Sequence, residues 1–575
     1  MTSGKWLKED TKTMKPSDFP PPVQPGEFVS PVRSTPENRI EVGILFVGAG
    51  PSNLAGAIRL AQLLESAPEI KASLGDFPVA VIEKGKYPGA HLLAGAILNP
   101  VSLKRLFPDL KEGTFPLEVP VRKDGFYFLS ERKAVRLPLP PTIRNEGNYV
   151  ISVSRFGRWL AERAEGMGVS LFSETAGVKL LVENGAIRGV KTGDKGRDRN
   201  GAPMENFQEG AEILARATVL GEGAQGHLTQ AAIAHFGIVR PNPQTYSLGV
   251  KEIWEVPHPP EEVIHTMGWP LRGGKEYNEF GGSFLYPMGE NRVSLGLVVG
   301  LGYRDASTSV HDLLQLMKTH PFFRKILEGG RRLENGWGAK TIPEGGYYAL
   351  PDSLHLPGGL LVGDSAGFVN VPALKGIHYA MASGMLAAET LFEALKAGRD
   401  LSRTDALSGY DAAVRNGFIG QDLYTVRNMR QAFDRGFVPG AVLAGLMTLT
   451  GGAFPGGQFH SGRDSEEPLF LGKRDYPTPD GKYLFDKLTS VHASGNSSRD
   501  NQPNHLRVEV QVPEEVGEAW IRMCPANVYE WGTDGNGKKV IRMNPTNCVQ
   551  CGAIGAKGGR LTPPEGGSGP QYTVT

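Results

Sequence analysis

The three cysteines of this chain lie near its C-terminal end, at Cys524, Cys548 and Cys551. Cys524 precedes a proline, and Cys548 and Cys551 form a Cys-x-x-Cys pair. An odd, clustered set favours metal binding over a disulfide framework, and both pieces are typical of ferredoxin-like loops that hold an iron–sulfur cluster. The alternatives are a zinc site, which needs a fourth ligand that no histidine supplies at suitable spacing, or inert thiols. The pattern predicts an iron–sulfur cluster on these three cysteines.

A second motif lies near the start of the chain, in residues 44–57, ILFVGAGPSNLAGA. It reads as a buried strand, a tight glycine turn and the start of a helix, which together bind a dinucleotide pyrophosphate. Gly48 permits the turn, and Gly50 lets the backbone approach the phosphates. Asn53 replaces the third glycine of the usual fingerprint, so the motif alone is weak evidence. Gly48, Gly50 and Asn53 are candidate cofactor-binding residues.

Further segments suit other parts of the same cofactor. The strand VAVIEK ends at Glu83, placed to accept ribose hydroxyls, and GLLVGDSAG contains Gly363 and Asp364, which suit the ribityl or phosphate part of FAD. Gly223 follows another strand and suits close backbone approach, and Arg155, at the start of an amphipathic helix, either meets a flavin phosphate or is solvated. Together these pieces favour FAD over NAD; the alternative is an ordinary α/β sheet with glycine turns.

Composition excludes several classes of function. The 575 residues suffice for two to four domains. The 62 basic and 61 acidic side chains leave a net charge of +1, which argues against a nucleic-acid partner. No run of apolar residues is long enough to predict a transmembrane helix. The proline-rich start of the chain lacks the apolar core of a signal peptide, so we expect an extended arm and a cytoplasmic, prokaryote-like protein.

Residues 246–337 change character, with alternating or wholly apolar segments that predict a strand-rich unit. Gly281 and Gly282 lie inside one of these strands. Paired glycines in a strand indicate either a β-bulge or the close approach of another molecule to the backbone.

Two apolar segments allow either burial or contact with lipid. Residues 87–106 are small and apolar, and residues 436–456 are interrupted by glycine and proline every few residues, so a free-standing helix is not expected. The second segment fits either an in-plane membrane anchor or a buried hairpin. If this segment is a membrane anchor, the positive charges of the flanking Arg427, Arg430 and Arg435 would suit anionic lipid headgroups.

The chain resembles the electron transfer flavoprotein-ubiquinone oxidoreductase family over residues 41–572. The resemblance is carried by GAHLLAGAILNP, GGSFLYPM, NVPALKGIHYAMASGMLAAE, DNQPNHL, NPTNCVQC and PPEGGSGP. It implies a monotopic membrane enzyme that contains FAD and an iron–sulfur cluster and passes electrons from reduced electron transfer flavoprotein to membrane quinone. It also implies that Gly281 and Gly282 contact the quinone, and that residues 87–106 and 436–456 form the surface through which quinone enters. The resemblance assigns no acid or base, because the cofactors carry the electrons.

The resemblance implies an α/β fold: a Rossmann-like FAD domain of the glutathione-reductase type, a strand-rich quinone-binding domain and a C-terminal ferredoxin-like module. It places the protein on the cytoplasmic face of a bacterial inner membrane. The expected units are an arm at 1–40, FAD-domain segments at 41–245 and 346–400, a quinone-binding domain at 246–345, a helical membrane-associated segment at 401–465 and an iron–sulfur domain at 466–575.

One position departs from the family pattern. The family ends its loop as Cys-x-x-Cys-x-x-Cys, and the third position here is Ile554, which cannot ligate iron. The expected cluster is therefore a three-iron cluster or a four-iron cluster with another ligand; alternatively, the cluster is absent and FAD accepts electrons directly. Competing functions are an FAD-dependent hydroxylase or isoprenoid reductase, neither of which explains the cysteine module, and a membrane scaffold without redox activity. The sequence does not distinguish ubiquinone from menaquinone.

Overall fold

The computed structural model describes residues 13–575 apart from residues 25, 34, 94, 110 and 112, so residues 1–12 of the expected N-terminal arm lie outside the described residues. In this part of the chain the strands are β1 Val29–Ser30, β2 Arg39–Val47, β3 Val79–Ile82, β4 Ile97–Leu98, β5 Val119–Pro120, β6 Asp124–Leu129, β7 Ala134–Arg136, β8 Tyr149–Val150, β9 Ser170–Phe172, β10 Gly177–Glu183, β11 Ala186–Thr192, β12 Lys195–Arg197, β13 Pro203–Gln208, β14 Glu212–Leu220, β15 Tyr246–Glu255, β16 Val263–Gly268, β17 Gly281–Gly289, β18 Arg292–Gly300, β19 Arg331–Pro343, β20 His355–Leu356, β21 Gly359–Leu361, β22 Leu506–Arg507, β23 Tyr529–Thr533, β24 Lys539–Met543 and β25 Arg560–Leu561. The α-helices are α1 Pro51–Glu65, α2 Pro68–Ser73, α3 Val101–Leu106, α4 Val153–Gly166, α5 His227–Phe236, α6 Val310–Lys318, α7 Pro321–Leu327, α8 Gly363–Ala366, α9 Ile377–Lys396, α10 Gly409–Asn416, α11 Phe418–Thr425, α12 Met429–Ala432, α13 Phe437–Leu449, α14 Lys487–His492, α15 Glu514–Met523 and α16 Ala553–Ala556.

The largest sheet has the strand order β1-β10-β11-β14-β2-β3-β9, and β21 also pairs with β14. We call it the flavin sheet, because most of its strands lie in the segments expected to form the FAD domain. Strands β3, β2, β14 and β21 are parallel to one another. The last six residues of β2 are all buried, as expected for a parallel strand covered on both faces. The carboxyl ends of these strands meet at one edge of the sheet, where α/β folds bind ligands.

Helices α1 and α9 cross closely beside this edge. A Cβ atom on Gly384 of α9 would lie 1.8 Å from the carbonyl oxygen of Ser52 in α1, so only glycine permits this approach. Arg59 and Glu389 add an ion pair between the two helices at 3.0 Å. Helix α9, Ile377–Lys396, therefore returns along the chain to pack against α1 beside the largest sheet.

The second sheet has the order β19-β15-β18-β17-β16-β6-β7. Five of its strands, β15 to β19, come from the predicted strand-rich segment. Helices α6 and α7 lie between β18 and β19 in the sequence. Strands β6 and β7 come from residues 124–136, inside the segment assigned to the flavin domain, and β6 pairs with β16 in parallel. The expected boundary at residue 246 therefore does not separate the two sheets.

The C-terminal module packs against the second sheet rather than standing apart. Trp254 and Trp337 of that sheet share one hydrophobic core with Trp520, Cys524 and Ile554 of the module. The loop that carries Cys548 and Cys551 is consequently held beside β19.

Helix α13 forms within the apolar segment 436–456, although glycine and proline at intervals argued against a continuous helix there. Pro439 lies in the first turn, where the backbone N–H has no partner within the helix. Gly440 lies against Phe433, and a Cβ atom there would approach the Phe433 Cα to 2.8 Å. None of the helices in the described part of the chain is both long and apolar enough to cross a bilayer.

Candidate active site

A cavity of about 980 Å³ extends from the edge of the flavin sheet to helix α13. Its wall includes the ends of β2, β3 and β14, the cysteine loop, strands β16 and β17 of the second sheet, and α13. This volume lies at the upper end of the range for ligand pockets.

The turn after β2 lies at one end of this cavity. Gly48 has φ +96°, a left-handed conformation that favours glycine. A Cβ atom on Gly48 would lie 2.9 Å from the carbonyl oxygen of Gly221, which follows β14. Gly50 precedes α1 as its N-terminal cap, and Gly223, with φ +83°, lines the cavity with Gly48 and Gly50. The backbone is therefore exposed to a ligand at the N-terminus of α1, as an anion site requires.

Asn53 supports this turn from behind. Its Nδ2 donates hydrogen bonds to the carbonyl oxygens of Val47, at 2.7 Å, and Gly48, at 2.8 Å. Asn53 is fully buried and is not among the residues that line the cavity. The structure thus gives Asn53 a role in fixing the shape of the turn, not a place on the cavity wall.

Glu83 lines the cavity directly after β3. Its carboxylate accepts hydrogen bonds from the backbone N–H groups of Ala49, at 2.9 Å, and Gly85, at 2.7 Å. The side chain therefore joins the glycine turn to the end of the neighbouring strand, the position expected for a ribose-binding carboxylate.

Asp364 lines the cavity at the start of α8. Burial raises the pKa of Asp364 to about 6, although the nearby Lys340 ammonium opposes the shift. Gly363, with φ +59°, lies behind it, donates its N–H to the Ser383 hydroxyl at 2.9 Å and is not among the residues that line the cavity. Of this pair, only Asp364 is placed to contact a ligand.

Arg155 lies away from the cavity. Its guanidinium pairs with Glu118 at 2.9 Å, and the side chain is 44% exposed. Helix α4 begins earlier than expected, at Val153, because the Ser152 hydroxyl caps it by accepting the Arg155 N–H. The solvated alternative is therefore correct for Arg155, and a contact with a flavin phosphate is not what the structure shows.

The cysteine loop forms part of the cavity wall through Gln550 and Gly552. Strand β19 holds this loop: Lys340 Nζ donates to the Gln550 carbonyl at 3.1 Å, and both the N–H and the hydroxyl of Thr341 donate to the Cys551 carbonyl at 2.9 Å. Sequence reasoning missed Lys340 and Thr341, because nothing in the segment GAKTIP reveals which loop it will support.

The three thiols are close enough to influence one another. Burial and the neighbouring Cys524 thiol raise the pKa of Cys551 to about 12. The Val528 N–H donates to Cys524 Sγ and the Gln550 N–H donates to Cys548 Sγ, each at 3.4 Å. Among the described residues, no three histidine, cysteine or carboxylate side chains are arranged to hold a single metal ion. Buried thiols that receive backbone N–H groups fit an iron–sulfur cluster, whose sulfurs need such donors.

Gly281 and Gly282 line the middle of the cavity. Their pairing with Val299 and Val298 of β18 is regular, so the β-bulge alternative does not apply here. A Cβ atom on Gly281 would lie 2.0 Å from the carbonyl oxygen of Val298, and one on Gly282 would lie 2.3 Å from that of Thr266. The close approach that requires glycine is therefore made by neighbouring strands, and a bulky residue at Gly281 would disrupt the sheet as well as any ligand site.

Polar side chains that the sequence analysis did not select surround these glycines. His265 Nε2 and the Tyr286 hydroxyl are hydrogen-bonded at 2.7 Å, and both residues line the cavity. Burial lowers the pKa of His265 to about 3, so the ring is neutral. His265 Nδ1 and, at the flavin end, Gln225 Nε2 are buried without a hydrogen-bond partner in the described part of the chain. Unpaired buried polar atoms on a cavity wall fit a site that receives a polar ligand.

Comparison with known proteins identifies the family. Residues 246–342 match the family model described as ETF-QO, ubiquinone-binding, and residues 481–573 match the model described as electron transfer flavoprotein-ubiquinone oxidoreductase, 4Fe-4S. An electron transfer flavoprotein-ubiquinone oxidoreductase from Dictyostelium discoideum is 38% identical, with 95% of this chain and 93% of the relative covered. This chain belongs to the electron transfer flavoprotein-ubiquinone oxidoreductase family. The Pseudomonas aeruginosa member is 38% identical over 93% of this chain and 98% of its own length, and the human mitochondrial member is 38% identical over 92% and 89%.

The fold of this member of the electron transfer flavoprotein-ubiquinone oxidoreductase family is shared more widely. A geranylgeranyl bacteriochlorophyll reductase-like protein from Thermoplasma acidophilum superimposes with a TM-score of 0.52 at 18% identity, over 72% of this chain and 96% of that one. At this identity the likeness shows the fold alone. The predicted fold class, a Rossmann-like flavoprotein sheet with a C-terminal iron–sulfur module, is confirmed.

Within this oxidoreductase family member, the cavity brings together most of the residues predicted from sequence. Gly48, Gly50, Glu83, Gly223 and Asp364 lie at its flavin end, and Gly281 and Gly282 lie in its middle. The glycine turn, the N-terminus of α1 and the unpaired Gln225 amide fit FAD.

Proposed function

We propose that this protein oxidises reduced electron transfer flavoprotein and reduces a membrane quinone, with FAD and an iron–sulfur cluster as its cofactors. The observation that carries the proposal is the continuity of the cavity. It joins the dinucleotide turn at Gly48, the cysteine loop at Gln550, the paired glycines of β17 and the apolar helix α13. A flavin bound at the turn would thus lie between the cluster loop and a channel that opens on an apolar surface.

The side chains have modest tasks in this reaction. FAD and the cluster supply the electron transfer when bound, and the protein positions them and excludes water. Gly48, Gly50 and Gly223 present backbone to FAD, with Glu83 and Asp364 beside its ribose and ribityl or phosphate groups. The pairing of β17 with β16 begins at Ser283, so Gly281 and Gly282 are outside this ladder. We propose that their backbone contacts the quinone.

Helix α13 supports peripheral attachment to a bilayer. Val438, Val442, Leu446 and Leu449 lie along one face of this helix and are exposed, Leu449 by 85%. Ala444 and Thr448, on the same helix, line the cavity. An in-plane helix with this face in the lipid boundary would place the cavity entrance within reach of quinone. We propose that the protein lies on the cytoplasmic face of a bacterial inner membrane.

The expected roles of two further features change. Arg427 is 6% exposed, and Arg430 pairs with Glu344 and Asp434, so neither is directed at lipid headgroups. Arg435 is exposed and lies over the Phe459 ring at 4.4 Å. In the segment 87–106, Leu92, Leu93 and residues 95–97 line the cavity, which supports a role for this part of the segment in the inner wall.

The proposed activity is tested with anaerobically purified holoprotein, reduced electron transfer flavoprotein and a water-soluble ubiquinone analogue. We expect a yellow-brown protein that reduces the quinone only when the reduced flavoprotein is present. A colourless protein would support the redox-inactive scaffold. Consumption of oxygen with reduced nicotinamide cofactor, without quinone reduction, would support the hydroxylase or reductase alternatives.

Charged residues on the exposed face of α13 should weaken membrane binding. We expect Val442→Glu combined with Leu446→Glu to lower the fraction of protein that sediments with vesicles by about tenfold or more, since burying each apolar side chain contributes roughly 1.5–3 kcal/mol. Activity with the soluble quinone analogue should be retained, because neither residue lines the cavity.

The matched control places two charges on exposed apolar positions elsewhere, Val239→Glu and Leu488→Glu, which are 60% and 52% exposed. This variant should bind vesicles as the unmodified protein does. Equal vesicle binding by all three proteins would show that α13 is not the attachment surface.

A further inference from the structure

The iron–sulfur module of this chain lacks one expected ligand, and the structure indicates what occupies its place. The family model that matches residues 481–573 describes a four-iron cluster, and such clusters are held by four cysteine thiolates. The chain contains three cysteines. The resemblance described above places the family's remaining cysteine at the position of Ile554, which lies on α16; this helix begins at Ala553, shortly after Cys551.

The surroundings of Ile554 are apolar. Ile554 is 5% exposed and belongs to the hydrophobic core that includes Val508 and Trp520. Gly559 lies against it: a Cβ atom on Gly559 would approach Ile554 Cγ1 to 2.6 Å and Val508 Cγ1 to 2.9 Å. Gly559 therefore packs closely against Ile554, and these apolar neighbours offer no polar partners to a water molecule.

The charged groups close to α16 are engaged with other partners. Lys557 is fully buried, and its ammonium donates to the Tyr303 carbonyl at 3.0 Å; a cation cannot ligate iron. Asp464, the carboxylate that faces Lys557, accepts the Tyr246 N–H at 2.7 Å. Gln225 lies near Gly555 but belongs to the wall of the flavin cavity.

We propose that Cys524, Cys548 and Cys551 hold a three-iron, four-sulfide cluster, because the chain has no fourth cysteine and the apolar neighbours of Ile554 offer no ligand to a fourth iron. This inference rests on the proposed function, which supplies the cluster itself. A three-iron cluster is paramagnetic when oxidised, whereas the four-iron cluster of the family is paramagnetic when reduced. The difference can be read by spectroscopy, independently of turnover.

The test measures iron and sulfide per FAD in anaerobically purified protein, with electron paramagnetic resonance of oxidised and reduced samples. We expect about three irons per FAD and a signal in the oxidised protein. In Ile554→Cys the ratio should rise to about four, and the signal should move to the reduced sample. Ile554→Val, which preserves the apolar corner, should behave as the unmodified protein does.

Four irons per FAD in the unmodified protein, with no signal in the oxidised sample, would overturn the inference and leave the proposed function intact. Absence of iron, with FAD bound and quinone still reduced, would overturn both the inference and the cluster step of the proposed function. Because the unmodified protein decides between these outcomes, the result does not depend on whether Ile554→Cys folds.

Discussion

Replacement of Cys548 with alanine should remove iron from the protein and reduce electron transfer from the reduced flavoprotein to quinone to background. Cys548 is buried and accepts the Gln550 N–H, and two remaining thiolates are too few for a cluster of either type. FAD should remain bound, since its phosphate site is built from the turn at Gly48 and the N-terminus of α1. Iron content, flavin absorbance and the quinone assay measure the three effects separately.

Ile554→Val is the matched control for Cys548→Ala, because it alters the same loop region without removing a thiol. It should retain iron, FAD and quinone reduction. If Cys548→Ala lost its iron yet still reduced quinone at the normal rate, electrons would enter FAD directly, and the cluster would have no place in the electron path.

The second large effect concerns stability and arises in the core of the second sheet. Glu252 is fully buried and receives Lys318 Nζ at 2.7 Å, Gln315 Nε2 at 3.0 Å and the Trp254 indole N–H at 2.8 Å. We expect Lys318→Met to lower the free energy of unfolding by about 3–5 kcal/mol, because it leaves a buried carboxylate without its main counter-charge. Denaturant titration followed by circular dichroism measures the change.

The control for Lys318→Met is Arg331→Met, which breaks an ion pair with Glu255 at 2.8 Å in which the two side chains are 79% and 44% exposed. Exposed pairs contribute about 0–1 kcal/mol, so this variant should unfold almost as the unmodified protein does. Similar losses in the two variants would mean that burial does not distinguish the two pairs.

The Glu252–Lys318 pair also makes the difference in unfolding free energy between the unmodified protein and Lys318→Met depend on pH. Burial opposes ionisation of Glu252, but Lys318 and Arg332 outweigh it and lower the pKa from 4.5 to about 2. A carboxylate whose pKa is lowered on folding stabilises the folded state above pH 4.5, and this contribution is lost as the pH falls toward 2. The advantage of the unmodified protein over Lys318→Met should therefore shrink across that interval.

The sequence was sufficient for features that depend on local pattern. The strand before Gly48, the strand before Glu83 and helix α9 follow from apolar runs and glycine punctuation, and all of them form. Most of the residues selected from these motifs line the cavity, because a βα turn fixes which backbone atoms are exposed, whatever lies opposite.

The predictions that failed depended on partners distant in the chain. Arg155 pairs with Glu118 and Arg430 with Glu344, and no local pattern announces either carboxylate. Asn53 is different, because its partners are local: it was placed on the cofactor since it occupies a glycine position, whereas its amide donates to the carbonyl oxygens of Val47 and Gly48. Gly281 and Gly282 were expected to meet another molecule; carbonyl oxygens of adjacent strands approach them closely, and a contact with quinone stays a prediction.

Strands β6 and β7 lie in the second sheet although they precede most of the flavin sheet in sequence, and β21 joins the flavin sheet only after the second sheet is complete. During synthesis, β6 must wait for β16, more than a hundred residues later, and β14 must wait for β21. Pairing between such distant segments slows folding, since loop closure precedes the stabilising contacts. We therefore expect the nascent chain to expose unpaired strand edges for a prolonged period, which favours aggregation when the protein is overproduced.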